Sequence, residues 1–189
     1  MTHTRVAVLL LACFVLLSAA ALAQAPFTIG IRDACDNKSF NFFVGPGTCK
    51  AGHHGSTRFK LFIKELQSDQ IAGAWRFNPV LNTTQGIFQL ATVNLASGQT
   101  TSLQNTGGEL HTFTRVATFG GGFVPLLNQL SGNPTPAPEC LQPENPTNIL
   151  VEAGTTETGP TAGSDQLPLG MTNWECCVHP WMRMTINVQ

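Results

Sequence analysis

The chain has 189 residues and a formal net charge of −1, and charged side chains make up only 11% of it. This length suits one domain with a sizeable core. The sequence has no basic stripe, which argues against nucleic acid and against anionic membrane as partners.

Residues 1–23 have the pattern of a secretory signal peptide. Arg5 lies in a short N-terminal region, the apolar run Val6 to Leu17 follows, and Ala21-Leu22-Ala23 forms a small-x-small cleavage site. A retained membrane anchor is the alternative, but this run is shorter than the ~20 residues that a spanning helix needs. We expect an exported mature chain, periplasmic or secreted, that starts at Gln24 and has no membrane span.

Residues 24–78 are predicted to form an N-terminal elaboration that contains one helix. Phe27 to Ile31 alternates in the manner of a strand. Ser56 or Thr57 can cap a helix whose apolar residues recur at helical spacing, namely Phe59, Phe62, Ile63 and Leu66. We expect this helix to lie against the main domain or to cover one end of it.

Residues 85–189 are predicted to form an antiparallel β-sandwich, because strand patterns follow one another at short intervals. A short helix is predicted over 124–130, a long loop over the proline-rich residues 131–147, and another loop over 154–163. The predicted strands cover 87–90, 92–95, 100–103, 111–118, 148–152 and 184–188. The predicted fold class is therefore all-β.

The stretch with the clearest chemistry lies near the C-terminus. Cys176, His179 and Met182 stand at positions n, n+3 and n+6 and can converge on one ion if the chain makes a tight loop between two strands. Soft sulfur with imidazole selects copper, and zinc is the main competitor. Pro180 has a fixed φ and no N–H, so it stiffens this loop.

Cys176-x2-His179-x2-Met182, with Pro180 beside the histidine, resembles the ligand loop of the cupredoxins, the type 1 blue copper proteins. The amicyanin and plastocyanin-like branch is the most similar. The resemblance implies a Greek-key β-sandwich over 24–189, with its copper-binding core at 85–189. It also implies a further histidine ligand from an earlier strand, for which His111 is the match. Thr112 departs from the family, because many cupredoxins have there an asparagine that joins the two ligand loops.

The resemblance implies four metal ligands, His111, Cys176, His179 and Met182, around one type 1 copper ion. The implied function is one-electron transport without enzyme activity, because Glu175 and Cys177 stand where multicopper oxidases have histidines. We expect a monomer that meets its redox partner through an apolar patch near His179, where Trp181 shields the metal, contributes to that patch or packs in the core. Two alternatives are an exported copper-binding or copper-delivery protein and a non-redox interaction module.

The cysteine count supports a metal-bound thiolate independently. The chain has six cysteines, and loss of Cys13 with the leader leaves five, so two disulfides leave one thiol. Cys35 and Cys49 bracket a Gly-Pro-Gly turn, which favours a local disulfide and leaves Cys140 for Cys177. Neighbouring residues on a strand face opposite sides, so Cys176 can face the metal. The alternative is a Cys140–Cys176 disulfide with Cys177 free.

Overall fold

The structure is a computed structural model, and it describes residues 24–53, 55–78, 91–142 and 144–189. The predicted leader and the predicted strand at 87–90 lie outside these residues. Three α-helices and nine strands are described, in addition to a 3-10 turn at Pro138–Leu141: β1 (Phe27–Arg32), α1 (Asn37–Phe43), α2 (Phe59–Asp69), β2 (Arg76–Asn78), β3 (Ala91–Leu95), β4 (Thr101–Asn105), β5 (His111–Val116), α3 (Pro125–Leu130), β6 (Asn148–Val151), β7 (Thr156–Thr158), β8 (Gly170–Glu175) and β9 (Arg183–Val188).

The strands form two sheets of a β-sandwich, which confirms the predicted all-β class. One sheet has the order β2-β1-β4-β7, and the other has the order β3-β9-β8-β5-β6. The prediction of wholly antiparallel sheets is wrong at two places, because β1 pairs with β4 in parallel and β3 pairs with β9 in parallel. Parallel neighbours need long crossover connections, which strand spacing along the sequence does not reveal.

The core between the sheets is built from alternate residues of the strands. In β4, for example, Thr101, Leu103 and Asn105 are buried, while the residues between them are partly or fully exposed. Phe113 of β5 stacks on Trp174 of β8 with ring centroids 4.4 Å apart, and both side chains are fully buried. Burying a large apolar side chain stabilises the fold by about 1.5–3 kcal/mol. This packing fixes β5 against β8, the two strands that lead to the predicted ligands.

The N-terminal segment is only partly an elaboration. Its strands β1 and β2 pair with each other, and β1 also pairs with β4, so both belong to the sandwich. The inserted part comprises residues 33–75 between these strands and carries α1 and α2. The boundary at residue 78 therefore does not separate an extension from the sandwich.

The start of helix α2 differs from the prediction. Its N-cap residue is Arg58, which makes no side-chain capping hydrogen bond, so neither Ser56 nor Thr57 has that role. The amide of Phe59 instead donates to Ser39 Oγ at 3.0 Å. Ser39 lies on α1, a short helix that was not predicted from the sequence, and Asp36 caps this helix by accepting a hydrogen bond from the amide of Ser39. The predicted cap was wrong because a neighbouring helix supplies the acceptor.

The disulfides are those favoured from the sequence. Cys35 bonds to Cys49 and Cys140 bonds to Cys177, while Cys176 is free and buried. The first disulfide holds the 33–75 insertion, and the second holds the 131–147 segment against the end of β8. No helix within the described ranges is long and apolar enough to cross a membrane.

Candidate metal centre

The predicted ligand loop connects β8 to β9. Residues 176–182 make a tight turn that two backbone hydrogen bonds close: the amide of Cys176 donates to the carbonyl of Met182 at 3.0 Å, and the amide of Met182 donates to the carbonyl of His179 at 2.8 Å. Pro180, which has no amide hydrogen, is buried within this turn. The spacing of the motif thus matches one compact loop between two adjacent strands.

His111 is the first residue of β5, and its ring faces this loop. Its Nδ1 lies 3.7 Å from Cys176 Sγ and 3.2 Å from Nδ1 of His179, and the distance from Cys176 Sγ to Nδ1 of His179 is 3.7 Å. The exposed fractions of His111, Cys176 and His179 are 0%, 0% and 1%. The structure therefore brings these three predicted ligands together, with one donor atom of each within 4.8 Å of the others.

The two methionines near the loop differ in position. Met182, the fourth predicted ligand, is the last residue of the ligand loop and is buried. Met184 lies inside β9, also buried, and pairs with Trp174 of β8. The closing loop and not the strand thus carries the methionine of the motif. That Met182 is a metal ligand stays a prediction.

Thr112 joins the two ligand segments. Its side-chain oxygen accepts a hydrogen bond from the amide of Cys177 at 2.7 Å, and its own amide donates to Cys176 Sγ at 3.4 Å. Thr114 Oγ1 donates to the same Thr112 oxygen at 3.0 Å. The threonine therefore makes the contact for which the family resemblance implies an asparagine, by means of a shorter side chain.

Asp33, which no sequence motif singled out, fixes the orientation of His111. Its Oδ2 lies 3.0 Å from Nε2 of His111 and accepts a hydrogen bond from the amide of Glu109. Its Oδ1 accepts hydrogen bonds from the amides of Cys35 and Gly108. Because Nδ1 of His111 faces Cys176, Nε2 carries the proton that is donated to Asp33.

Glu109 lies behind the second histidine. Its Oε2 is 3.7 Å from Nε2 of His179, and the indole Nε1 of Trp75 donates to the same oxygen. Burial raises the pKa of Glu109, although His179 opposes that rise. Both histidines therefore have a buried carboxyl group beside the ring nitrogen that faces away from Cys176. The available signal was the short separation of Glu109 from His111 along the chain, although Glu109 lies in the segment before β5 and not on the strand.

The glycines before His111 allow this close packing. A Cβ on Gly107 would collide with the carboxylate of Asp33, and one on Gly108 would lie 2.7 Å from Sγ of Cys35. Only glycine fits at both positions without displacing a neighbour. The Gly107-Gly108 pair is therefore needed for the approach of the backbone to Asp33 and to the Cys35–Cys49 disulfide.

The charges of the cluster favour a thiolate. Burial opposes ionisation of Cys176, yet hydrogen bonds from His111 and His179 hold the pKa of its thiol well below the usual value. Burial likewise disfavours a charged His111, but Asp33 and then Cys176 raise the pKa of this imidazole. The pKa of Asp33 falls to about 2 because the hydrogen bond and charge of His111 outweigh the effect of burial. A thiolate is the form of cysteine that binds metals.

An aromatic layer covers His179. Its ring lies 5.4 Å from the ring of Trp181, centroid to centroid, and Trp181 in turn lies 5.8 Å from Phe62 of α2. The indole of Trp181 donates to the carbonyl of Ala72 at 3.2 Å. Because the 33–75 insertion supplies Phe62 and Ala72, this insertion screens His179 from solvent.

Comparison with solved structures finds similarity to cupredoxins. A purple cupredoxin from Nitrosopumilus maritimus is similar over 86% of this chain and 99% of its own, with 12% identity and a TM-score of 0.42. A reduced amicyanin variant is similar over 54% of this chain and 72% of its own, with 16% identity and a TM-score of 0.32. A Cu(I) amicyanin variant is similar over 56% and 76%, with 13% identity and a TM-score of 0.32. No protein-family model and no curated protein matches the chain. The described chain is a β-sandwich of two mixed sheets in which the start of β5 contacts the 176–182 loop.

Proposed function

We propose that this protein is an exported type 1 copper protein that carries single electrons. The observation that supports the proposal is the convergence of one thiolate sulfur and two imidazole nitrogens, 3.2 to 3.7 Å apart, in a fully buried position. Thiolate and imidazole together suit copper, and the methionine at the end of the loop adds a soft thioether donor. The donor set therefore fits the ion that the motif predicted.

Copper held by such donors supplies a one-electron couple, Cu(I) and Cu(II). The protein holds the donors in place. Asp33 orients His111 through a hydrogen bond, the carboxyl group of Glu109 lies 3.7 Å from Nε2 of His179, and Thr112 ties β5 to the ligand loop. A site whose ligands are fixed by their own hydrogen bonds changes little in shape when the charge of the ion changes, which favours rapid electron exchange.

The disulfides support export. Two pairs of cysteines are bonded in a chain that begins with a predicted signal peptide, and structural disulfides persist in oxidising compartments. Cys176 remains a thiol although it stands beside a bonded cysteine. Metal ligation gives a reason for an unpaired buried thiol in such a compartment.

Copper delivery is the second candidate, and burial argues against it. A delivery site has to release its ion to another protein, whereas His111 and Cys176 are 0% exposed and His179 lies beneath Trp181. An enzyme function is not proposed, because the fourth donor is a buried methionine and Glu175 and Cys177 flank the ligand cysteine. The non-redox interaction module would need no convergent donors.

Copper titration of the mature protein tests the proposal. We expect one equivalent to give an intense visible thiolate-to-copper absorption band, and voltammetry to give a reversible one-electron wave. Cys176→Ser should abolish the band, whereas the double variant Cys140→Ala/Cys177→Ala, which removes the adjacent sulfur, should retain it. The opposite pattern would contradict the assignment. Rapid loss of the ion to a chelator would favour delivery, and tighter binding of zinc without colour would favour a structural metal.

A further inference from the structure

We propose that this protein exchanges electrons through a face of the 33–75 insertion, at a surface built for a partner protein with an apolar centre and an acidic rim. This inference rests on the proposed electron-carrier function. The surface consists of Phe42, Phe43 and Val44 at the end of α1, which we call the aromatic patch, with lysines around it. It replaces the expected contact at the edge of His179, which is only 1% exposed.

The aromatic patch is unusually apolar for a surface. The exposed fractions are 82% for Phe42, 48% for Phe43 and 57% for Val44. The rings of Phe42 and Phe43 are in edge contact, with centroids 5.0 Å apart, and Phe43 stacks on the half-buried Phe59 of α2 at 5.2 Å. Adjacent exposed large apolar residues are typical of interaction sites, whereas single ones are ordinary.

A series of aromatic rings joins the patch to the metal ligand His179. From Phe59 the next ring is Phe62, at 6.1 Å, and from Phe62 the next is Trp181, at 5.8 Å. Trp181 lies 5.4 Å from His179. Electron transfer weakens steeply with distance and is weaker across gaps than through packed atoms. The ring series therefore provides a packed route to an exposed aromatic surface, which the buried edge of His179 does not.

The charge distribution indicates the kind of partner. Residues 37–69 carry five cations against two acids, a net +3, whereas residues 24–36 and 70–189 carry four cations against nine acids, a net −5. Lys60 Nζ lies 5.7 Å above the ring of Phe43. Lys38 is exposed one helical turn before Phe42, and Lys64 is exposed one helical turn after Lys60. Opposite charge steers association, so an acidic rim on the partner is complementary to this face.

The first test uses a probe that needs no copper. Anthraquinone disulfonate combines a flat apolar ring with anionic groups, which are the two features assigned to the partner. In NMR titrations of the copper-free protein we expect saturable shifts at Phe42, Phe43 and Val44. Phe42→Ser should weaken binding several-fold, while Met171→Ser, which alters another exposed apolar side chain at the far end of β8, should not. Shifts elsewhere, or none, would overturn the proposal.

The second test measures electron exchange. Copper(I) protein gives one electron to hexacyanoferrate(III), which becomes hexacyanoferrate(II), while the ion becomes copper(II). The triple variant Lys38→Gln/Lys60→Gln/Lys64→Gln should slow this reaction by about tenfold at low ionic strength. The difference should shrink in about 1 M salt, where the Debye length is about 3 Å. The triple variant Gln104→Glu/Gln142→Glu/Gln189→Glu has the same net charge as the lysine variant, but its changes lie away from the aromatic patch. It should therefore react faster than the lysine variant.

The outcomes separate the two proposals. Absence of a reversible copper couple would refute the proposed function. Probe binding at the aromatic patch is measured on copper-free protein, so its result does not depend on that couple. Equal rates for the two charge variants, with a normal copper couple, would refute the exchange surface alone. Patch-dependent binding of the full mature chain to vesicles of phosphatidylcholine and phosphatidylglycerol, with no binding of the quinone, would assign this face to a membrane and overturn the proposal.

Discussion

Asp33→Asn is the substitution that tests how the site is held, since it keeps the size of the side chain and removes its charge. Each carboxylate oxygen accepts two hydrogen bonds: Oδ1 from the amides of Cys35 and Gly108, and Oδ2 from the amide of Glu109 and Nε2 of His111. In asparagine one of these oxygens becomes an NH₂ group, which cannot accept. Whichever way the amide is turned, two donors lose their acceptor.

The expected loss follows from these contacts. A hydrogen bond to a charged group contributes about 1.5–3 kcal/mol, so two of them amount to about 3–6 kcal/mol. That is a large part of the about 5–15 kcal/mol by which a typical domain is stable. Urea unfolding of the copper-free protein measures the change directly, and an unaltered slope against urea concentration shows that the transition is the same one.

Asp165→Asn serves as the control, because this carboxylate is exposed. It should change the free energy of unfolding by less than about 0.5 kcal/mol. If Asp33→Asn lowers the free energy of unfolding by less than about 1.5 kcal/mol, which one lost bond would explain, then Asp33 does not hold His111 in the way described.

Three further predictions concern the ligand loop. Thr112→Val leaves the amide of Cys177 without its acceptor and should cost about 1–3 kcal/mol in urea unfolding, while Thr112→Ser, which keeps the oxygen, should cost less; a larger loss for Thr112→Ser than for Thr112→Val would show that the methyl group matters and not the oxygen. Met182→Leu should raise the reduction potential and keep the visible band, whereas Met184→Leu should leave the potential nearly unchanged; voltammetry showing the reverse would make Met184 the ligand. Cys140→Ala/Cys177→Ala opens a loop of 37 residues and should lower stability by about 4 kcal/mol, measured by thermal or urea unfolding; no loss would mean that the denatured chain is not constrained by this bond.

The loop with Cys176, His179 and Met182 was predictable because its residues are close in sequence. Three donors within seven residues need only one turn, and the turn forms as expected. Counting predicted one free thiol, since five cysteines and two disulfides leave one, and the turn between Cys35 and Cys49 favoured the observed pairing. Local spacing and counting therefore account for the parts that were correct.

Asp33 could not be predicted, because it acts on a residue 78 positions away. Its position depends on β1, which pairs with β4 in parallel and so brings the start of the insertion next to the start of β5. An alternating strand pattern shows that β1 exists but not which strand it joins. The same reason explains why α1 was missed: seven residues with Phe40 as the one buried side chain leave no helical period to detect.

The adjacent cysteines at the end of β8 have a consequence for which sulfur stays a thiol. Before the Cys140–Cys177 bond forms, two neighbouring thiols are present, and either could bind an ion or react with the other. Once the bond has formed, Cys177 is committed to Cys140, and Cys176 is the one thiol left among the described cysteines. The Cys140–Cys177 bond therefore decides which of the two adjacent sulfurs stays a thiol, so the disulfide selects the candidate ligand cysteine as well as crosslinking the fold.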